Sequence, residues 1–429
     1  MPSLGAIADD FTGATDLATA LVARGHRTVV TVGPDSITGD GADSAAGEAD
    51  AVVVALKSRT APVDEAVHTS LEALRALRAA GCTRFYLKYC STFDSTPRGN
   101  IGPVTDALLG ELGERRAVVV PSFPATGRTV YRGRLFVHDD LLDESPMRHH
   151  PLTPMRDAHV GRLLTPQTGH PVRLVPLEVV RAGVPALRAA LNAPDLADAL
   201  VVVDATEDAD LRTVAAATAD HALVTGAAGL AVGLTGPHTA ADEARARPAS
   251  RPGDPAAVLS GSASAATRAQ VAHGRTHLPH RKLDIAALRA DPDAAVAGLV
   301  AFARACWADD PHRPPLIYAV GDLDDLEPAG TDAEPAASEL VEQALAACAA
   351  QLVAAGARRL LVAGGETSGA VVTALGVRSL SIGAPIAPGV TWARAEGRSG
   401  DRTHTVDLAL KSGNFGSTDI FTEAWSALT

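Results

Sequence analysis

The chain has 429 residues, 46% apolar and 21% charged, with a formal net charge of −12 at pH 7. That length accommodates two domains with a core each, and the acidic balance excludes a surface built for nucleic acid while leaving room for a local basic pocket around an anion. No secretory leader and no membrane-length apolar run is visible, and Cys82, Cys90, Cys306 and Cys348 show no paired spacing, so the expectation is a cytoplasmic protein with reduced thiols and no membrane partner.

In the first half, strand and helix patterns alternate. Strands are expected at Leu4–Ala8, Thr28–Val32, Ala51–Leu56, Phe85–Tyr89, Ala117–Pro121, Val172–Leu177 and Leu200–Asp204. Several are unbroken apolar runs, which suits strands buried on both faces. Helical patterns lie between them, at Thr15–Arg24 and at Val63–Ala80 with apolar residues at 67, 71, 74 and 77. The alternation predicts an α/β chain with mostly parallel sheets flanked by helices. Gly236 to Pro255 carries four prolines and reads as a linker, so the domains are expected at 1–235 and 256–429. Further strands are expected at Ala256–Leu259, Pro315–Val320, Leu360–Ala363, Ser379–Ile382 and Thr405–Lys411, with Asp322–Glu339 an exposed acidic loop.

The first strand runs into two adjacent acids, Asp9 and Asp10. Ligands of open α/β sheets bind at the carboxyl ends of strands. One acid would serve as a helix cap, at Asp10 or with Thr12 in its place, and the second is surplus to that need. Lys57-Ser58-Arg59-Thr60 follows the third strand, where Arg can grip both oxygens of a carboxylate. Lys88 to Gly102 leaves another strand with hydroxyls, Asp94, Ser95, Arg98 and two glycines, a mixture that suits a polyol. Its structural alternative is a turn ahead of a helix starting near Asn100. Pro121 to Val130, with Arg128, could line the same cleft. His138, Asp139, Asp140, His149 and His150 lack the spacing of a zinc site and read as solvated loops.

In the second half, Ser260-Gly261-Ser262-Ala263-Ser264 joins a strand to a helix near Ala265, and Gly364-Gly365-Glu366-Thr367 repeats the arrangement. Both suit phosphate held by helix-start amides, although neither is GxxxxGK[ST] or GxGxxG. Lys411 to Gly416 adds a third small-residue loop.

Together, Ile7–Asp16, Lys88–Gly102, Pro121–Gly133, His150–Asp157, Ser260–Thr267, Gly364–Ala370, Pro388–Trp392 and Lys411–Gly416 resemble the four-carbon acid sugar kinases, in the same order and over nearly the whole chain. His150–Met155 and Leu410–Gly416 resemble the branch acting on 3-oxo-tetronates. D-threonate, L-threonate and D-erythronate kinases share most of the other motifs. The resemblance implies a sugar-acid domain followed by an ATP domain, with the active site in the cleft between them. It implies ATP at Ser260, Gly261, Ser262, Gly364, Gly365, Glu366, Thr367 and Gly413. Mg²⁺ is expected to bridge the ATP phosphates, and Glu366 is either a ligand to it through water or a first-turn acid that favours the helix dipole. Ala263 stands where the family often has Cys, a small matter if backbone amides do the binding. The sugar acid is expected on Asp9, Asp10, Arg59, Lys88, Asp94 and Ser95, with Arg59 and Lys88 on its carboxylate. Asp10 is the first choice for the base at the C4 hydroxyl, and Asp94 the second. A homodimer is a possible assembly, and a sugar-acid-binding regulator without catalysis is the rival from another class.

Overall fold

The computed structural model describes residues 2–37, 47, 49–149, 153–238, 245–322, 325, 336–399 and 402–428. The chain parts into two compact units, Met1–Ala244 and Arg245–Thr429. Among the described residues no helix is long and apolar enough to cross a membrane.

The strands of the first unit are β1 (Leu4–Ala8), β2 (Thr28–Val32), β3 (Ala51–Ala55), β4 (Arg84–Lys88), β5 (Ala117–Val120), β6 (Arg128–Tyr131), β7 (Arg134–Val137), β8 (Asp140–Leu141), β9 (Val172–Val175), β10 (Leu200–Val203) and β11 (Leu223–Gly226). They form a parallel sheet in the order β2-β3-β1-β4-β11-β5-β10-β9, with β6-β7-β8 a small antiparallel sheet. The valine-rich β3, β5 and β10 are buried along their whole length. Helices cover both faces of such a sheet, so its strands need no polar side. The helix Val63–Ala79 shows how they pack. Ala66, Ser70, Ala73, Leu74 and Leu77 form its buried stripe, while Asp64 and Glu65 in its first turn and Arg78 in its last complement the helix dipole.

In the second unit β12 (Ala256–Ser260), β13 (His280–Lys282), β14 (Leu316–Tyr318), β15 (Arg359–Ala363), β16 (Val377–Ala387), β17 (Val390–Ser399) and β18 (Arg402–Lys411) are ordered β13-β14-β12-β15-β18-β17-β16. The run from β13 to β18 is parallel, and β18-β17-β16 is antiparallel. The entry segment is tied to this unit by Asp407. Its buried carboxylate accepts from the N–H groups of Ala249 and Ser250 at 3.0 and 2.8 Å.

Several expected elements change. The first helix spans Phe11–Ala23 rather than Thr15–Arg24, because Asp10 caps it by accepting from Gly13 N–H. The expected strand Ser379–Ile382 is the middle of an eleven-residue strand, Val377–Ala387, and β17, β11 and the small sheet were not anticipated. Of the acidic loop expected at Asp322–Glu339, residues 323, 324 and 326–335 lie outside the described residues, and its end already belongs to the helix Ala337–Ala354. Residues 150–152 and 239–244, parts of the branch motif and of the linker, also lie outside.

Candidate active site

In the first unit, register does the gathering. Ala8 is level with Ala55 on one side and Lys88 on the other, so the chain leaves three neighbouring strands at one height. Asp9 N–H donates to the Lys88 carbonyl at 3.1 Å. The Ser58 and Arg59 N–H groups donate to the Asp9 carbonyl at 3.1 and 3.2 Å. These bonds fix the loop after β3 onto the end of β1.

Arg59 then meets both acids. Its Nε donates to Asp9 Oδ2 at 2.9 Å, and its Nη2 donates to Asp9 Oδ1 at 2.8 Å and lies 2.9 Å from Asp10 Oδ1. Asp10 also accepts from Gly13 N–H and from the Thr12 hydroxyl, both at 2.8 Å. Burial pushes the Asp9 carboxyl above its ordinary range even though Arg59 pulls it down. Burial also acts on Asp10, but Arg59, Lys88, Thr12 and Gly13 outweigh it and hold that carboxyl below the ordinary range. The two acids in turn hold the Arg59 guanidinium well above its usual range against the opposing effect of burial. Arg59 Nη1 makes no hydrogen bond among the described residues, which leaves one edge of the fork for a ligand.

Lys88 is buried beneath the first helical turn and donates to the Tyr89 carbonyl at 3.0 Å. A Cβ on Gly13 would come within 2.9 Å of its Nζ. Asp16, one turn further along that helix, is 7% exposed and its Oδ1 has no partner. Burial pushes its carboxyl up to about 6, against the pull of Lys88 and Arg128.

The loop after β4 turns sharply at Phe93, whose φ of 51° lies in the left-handed region while its ring packs edge-on against Tyr89 at 5.4 Å. Asp94 follows and accepts from the Thr92 hydroxyl at 2.6 Å. The Ser95 hydroxyl accepts from Gln167 Nε2 at 2.9 Å. Asn100 Nδ2 donates to the carbonyls of Ser58 and Ala61 at 2.7 and 2.8 Å and so braces the Arg59 loop, while its buried Oδ1 has no partner. One cavity is walled by Asp9, Ser58, Arg59, Asp94, Ser95 and Asn100 over an apolar floor of Leu87, Tyr89, Ile101 and Val104. Asp9, Arg59, Asp94 and Ser95 are thus together. Asp10 and Lys88 stand beside the cavity and act on it through Arg59 and the helix start.

Ser58, Asn100 and Asp16 were not anticipated as site residues. Ser58 sits next to Arg59 in sequence and Asn100 next to a helix start, so position was the available signal. The pairing of Asn100 with two carbonyls of a distant loop had none. Arg128 faces the same group. Burial pulls its guanidinium down, while Cys90, Asp94 and Asp16 hold it up. Burial pushes the Cys90 thiol up to about 12, which favours its protonated form. His138, Asp139 and Asp140 are exposed.

The second unit repeats the device. Ser260, Ala363 and Lys411 lie in register at the carboxyl ends of β12, β15 and β18, and their loops interlock. A Cβ on Gly413 would come within 2.6 Å of Ser262 Oγ, and one on Gly261 would strike Thr367 Oγ1. Gly364 has φ 128° and faces Thr367 Oγ1 and Ser262 N. Two helices start here. Ser264 caps Ala265–His277, and Gly365–Ala374 begins with no side-chain cap, leaving its first N–H groups for an anion. All the residues expected to hold nucleotide fall on these loops. Glu366 is exposed in the first turn of Gly365–Ala374. Glycines without room for a side chain and uncapped helix amides fit a nucleotide's phosphates. Among the described residues no group of three or more His, Cys, Asp or Glu converges as a metal site.

Comparisons with known proteins divide the chain the same way. The family model for a sugar-binding N-terminal domain matches residues 4–234, and that for a nucleotide-binding C-terminal domain matches residues 257–421. The chain is 49% identical to the 3-oxo-tetronate kinase of Burkholderia multivorans, over 100% of this chain and 97% of that protein. It is also 49% identical to that of Cupriavidus necator, over 99% and 96%. Among solved structures, a Salmonella typhimurium LT2 protein with a provisional description as a tRNA synthase matches at TM-score 0.82 and 40% identity, covering 99% of each chain. A Haemophilus influenzae protein matches at TM-score 0.74 and 38% identity, covering 99% of this chain and 100% of that one. Similarity along the whole chain, with the two domain matches, places this protein in the four-carbon acid sugar kinase family, alongside the 3-oxo-tetronate kinases.

Proposed function

We infer that the chain is an ATP-dependent kinase that phosphorylates the C4 hydroxyl of 3-oxo-tetronate. The observation that carries this reading is the cavity lined by a guanidinium, two carboxylates and two serines, in a chain 49% identical along its length to proteins of that name. The first unit holds the sugar acid and the second holds ATP.

Arg59 offers its open Nη1 edge to the substrate carboxylate, and Asp9 and Asp10 keep that guanidinium in place. Lys88 adds positive charge behind them. Ser95, Asp9 and Asp94 take the substrate hydroxyls. Phosphoryl transfer asks mainly for positioning and for stabilisation of charge, and one carboxylate must accept the proton of the attacking hydroxyl. The geometry favours Asp94 over Asp10 for that role. Asp94 is on the cavity wall and one of its oxygens carries the Thr92 bond. Asp10 is occupied by Arg59, Gly13 and Thr12 and is held below the ordinary carboxylate range. Mg²⁺ bound with the nucleotide would neutralise phosphate charge and keep several waters, and the exposed Glu366 is suited to reach it through one of them.

The test is a coupled ADP-release assay over 3-oxo-tetronates, threonates and erythronates, with 3-oxo-tetronate expected to give the highest kcat/KM. A threonate or erythronate ahead of it moves the chain to another branch. Binding of a sugar acid without ADP release would make it a non-catalytic binder and end the kinase reading.

A further inference from the structure

Lys411 ends β18 at 0% exposure. Its Nζ donates to Thr267 Oγ1 at 3.1 Å, to the Ser412 carbonyl at 2.9 Å and to the Gly413 carbonyl at 3.0 Å. An ammonium has three protons, so all of them are spent on the loop and on the first turn of Ala265–His277, and none meets a carboxylate. The Gly413 carbonyl accepts twice more, from the Ser264 hydroxyl at 2.6 Å and the Thr267 hydroxyl at 2.7 Å. Three donors from inside the unit therefore converge on one carbonyl oxygen.

That convergence orients a peptide. The bond is trans, as no cis peptide occurs among the described residues, and in a trans peptide the N–H points opposite to the C=O. With the Gly413 carbonyl drawn inward, the Asn414 N–H is turned outward, at an exposed residue. It emerges beside Ser262 and Ser264, which pack against Gly413, and the same Ser260–Ser264 loop packs in turn against Gly364 and Thr367. A buried cation with no counter-charge is unfavourable, and burial alone pulls Lys411 down to about 7, with no charged or titratable side chain contributing.

We propose that Lys411 is a positioning residue of the nucleotide site: with Ser264 and Thr267 it holds the Gly413 carbonyl inward, presents the Asn414 N–H to a phosphate oxygen, and has its own buried charge balanced when that phosphate binds. The proposal rests on the kinase reading and adds to it a donor and a proton-linked cation.

The test is calorimetric titration of the full-length protein with ADP from pH 6 to 8.5, in two buffers of different ionisation enthalpy. Wild type, Lys411→Met and Thr267→Val are compared. The wild type is expected to take up protons on binding near pH 7.5 and to lose ADP affinity as pH rises through about 7. The terminal phosphate of ADP titrates as well, so the lysine's contribution is the difference between wild type and Lys411→Met. That variant is expected to bind at least about tenfold more weakly, without the extra uptake. Thr267→Val keeps the amine, so it should weaken binding less and retain the uptake. In both variants KM for ATP rises while KM for the sugar acid stays within about twofold. Equal ADP affinity and equal uptake in wild type and Lys411→Met would overturn the proposal. If Lys411→Met does not fold, Thr267→Val and Ser264→Ala decide it, and unchanged ADP affinity in both overturns it. A wild type that binds ADP with this pH dependence but phosphorylates no sugar acid would end the kinase reading and leave the role of Lys411 intact.

Discussion

Asp9, Asp10 and Arg59 form a unit in which the two acids have different duties. Asp10 caps a helix and holds Arg59 from behind, while Asp9 shares the cavity with the open edge of the same guanidinium. Asparagine caps a helix about as well as aspartate, so Asp10→Asn removes charge without removing the cap. The expected result is a raised KM for the sugar acid with kcat within about tenfold of wild type. Asp94→Asn removes the base on our reading and should cut kcat by at least about 100-fold. Steady-state kinetics on the two variants separates the roles. An inactive Asp10→Asn beside an active Asp94→Asn would return the base to Asp10. At this scale the sequence revealed which residue types leave the strands. It did not reveal that Asp10 is occupied on three sides, because Thr12, Gly13 and Arg59 reach it only through the helix turn and the neighbouring strand.

The element that most constrains the first site is the start of the helix Phe11–Ala23. Gly13 has an ordinary helical position, and what requires glycine there is space. A Cβ would strike Asp10 Oδ1 and come within 2.9 Å of Lys88 Nζ. Gly13→Ala should therefore displace the Asp10–Arg59 pair or Lys88. The expected effect is a fall of about tenfold or more in kcat/KM for the sugar acid, with ADP affinity unchanged. Full activity in that variant would show that neither group needs its observed place. Element legibility followed burial. Continuous valine runs such as Ala51–Ala55 announced central parallel strands. Two kinds of strand carried no such signal. The sequence of β11, Leu-Val-Thr-Gly, has only two large apolar residues and no unbroken run, and β17 alternates outward Arg394 and Arg398 with buried Ala393, Ala395 and Gly397, residues of low strand propensity. The turn Arg132–Gly133, with φ values of 51° and 69°, closes the hairpin β6–β7. Its donors go to Asp204, more than seventy residues on, through Arg132 N–H at 2.7 Å and Gly133 N–H at 2.9 Å.

Across the whole molecule, each unit places its polar loops at the carboxyl ends of parallel strands that end in register, Ala55–Ala8–Lys88 in one and Ser260–Ala363–Lys411 in the other. The repetition of that device means that the two substrates should leave separate footprints, and hydrogen exchange can read them. A ligand at about 100 times its Kd stabilises the state it binds by about 2.7 kcal/mol, enough to slow amide exchange roughly 100-fold wherever opening requires release of the ligand. ADP should slow exchange in residues 260–267, 364–370 and 411–416, with the Asn414 amide among the most protected. A sugar acid added without nucleotide should slow residues 9–16, 56–61 and 90–102 and leave the first set unchanged. Protection of residues 9–16 and 56–61 by ADP alone, with no change at 411–416, would reverse the division of labour between the units even if the kinase activity itself were found.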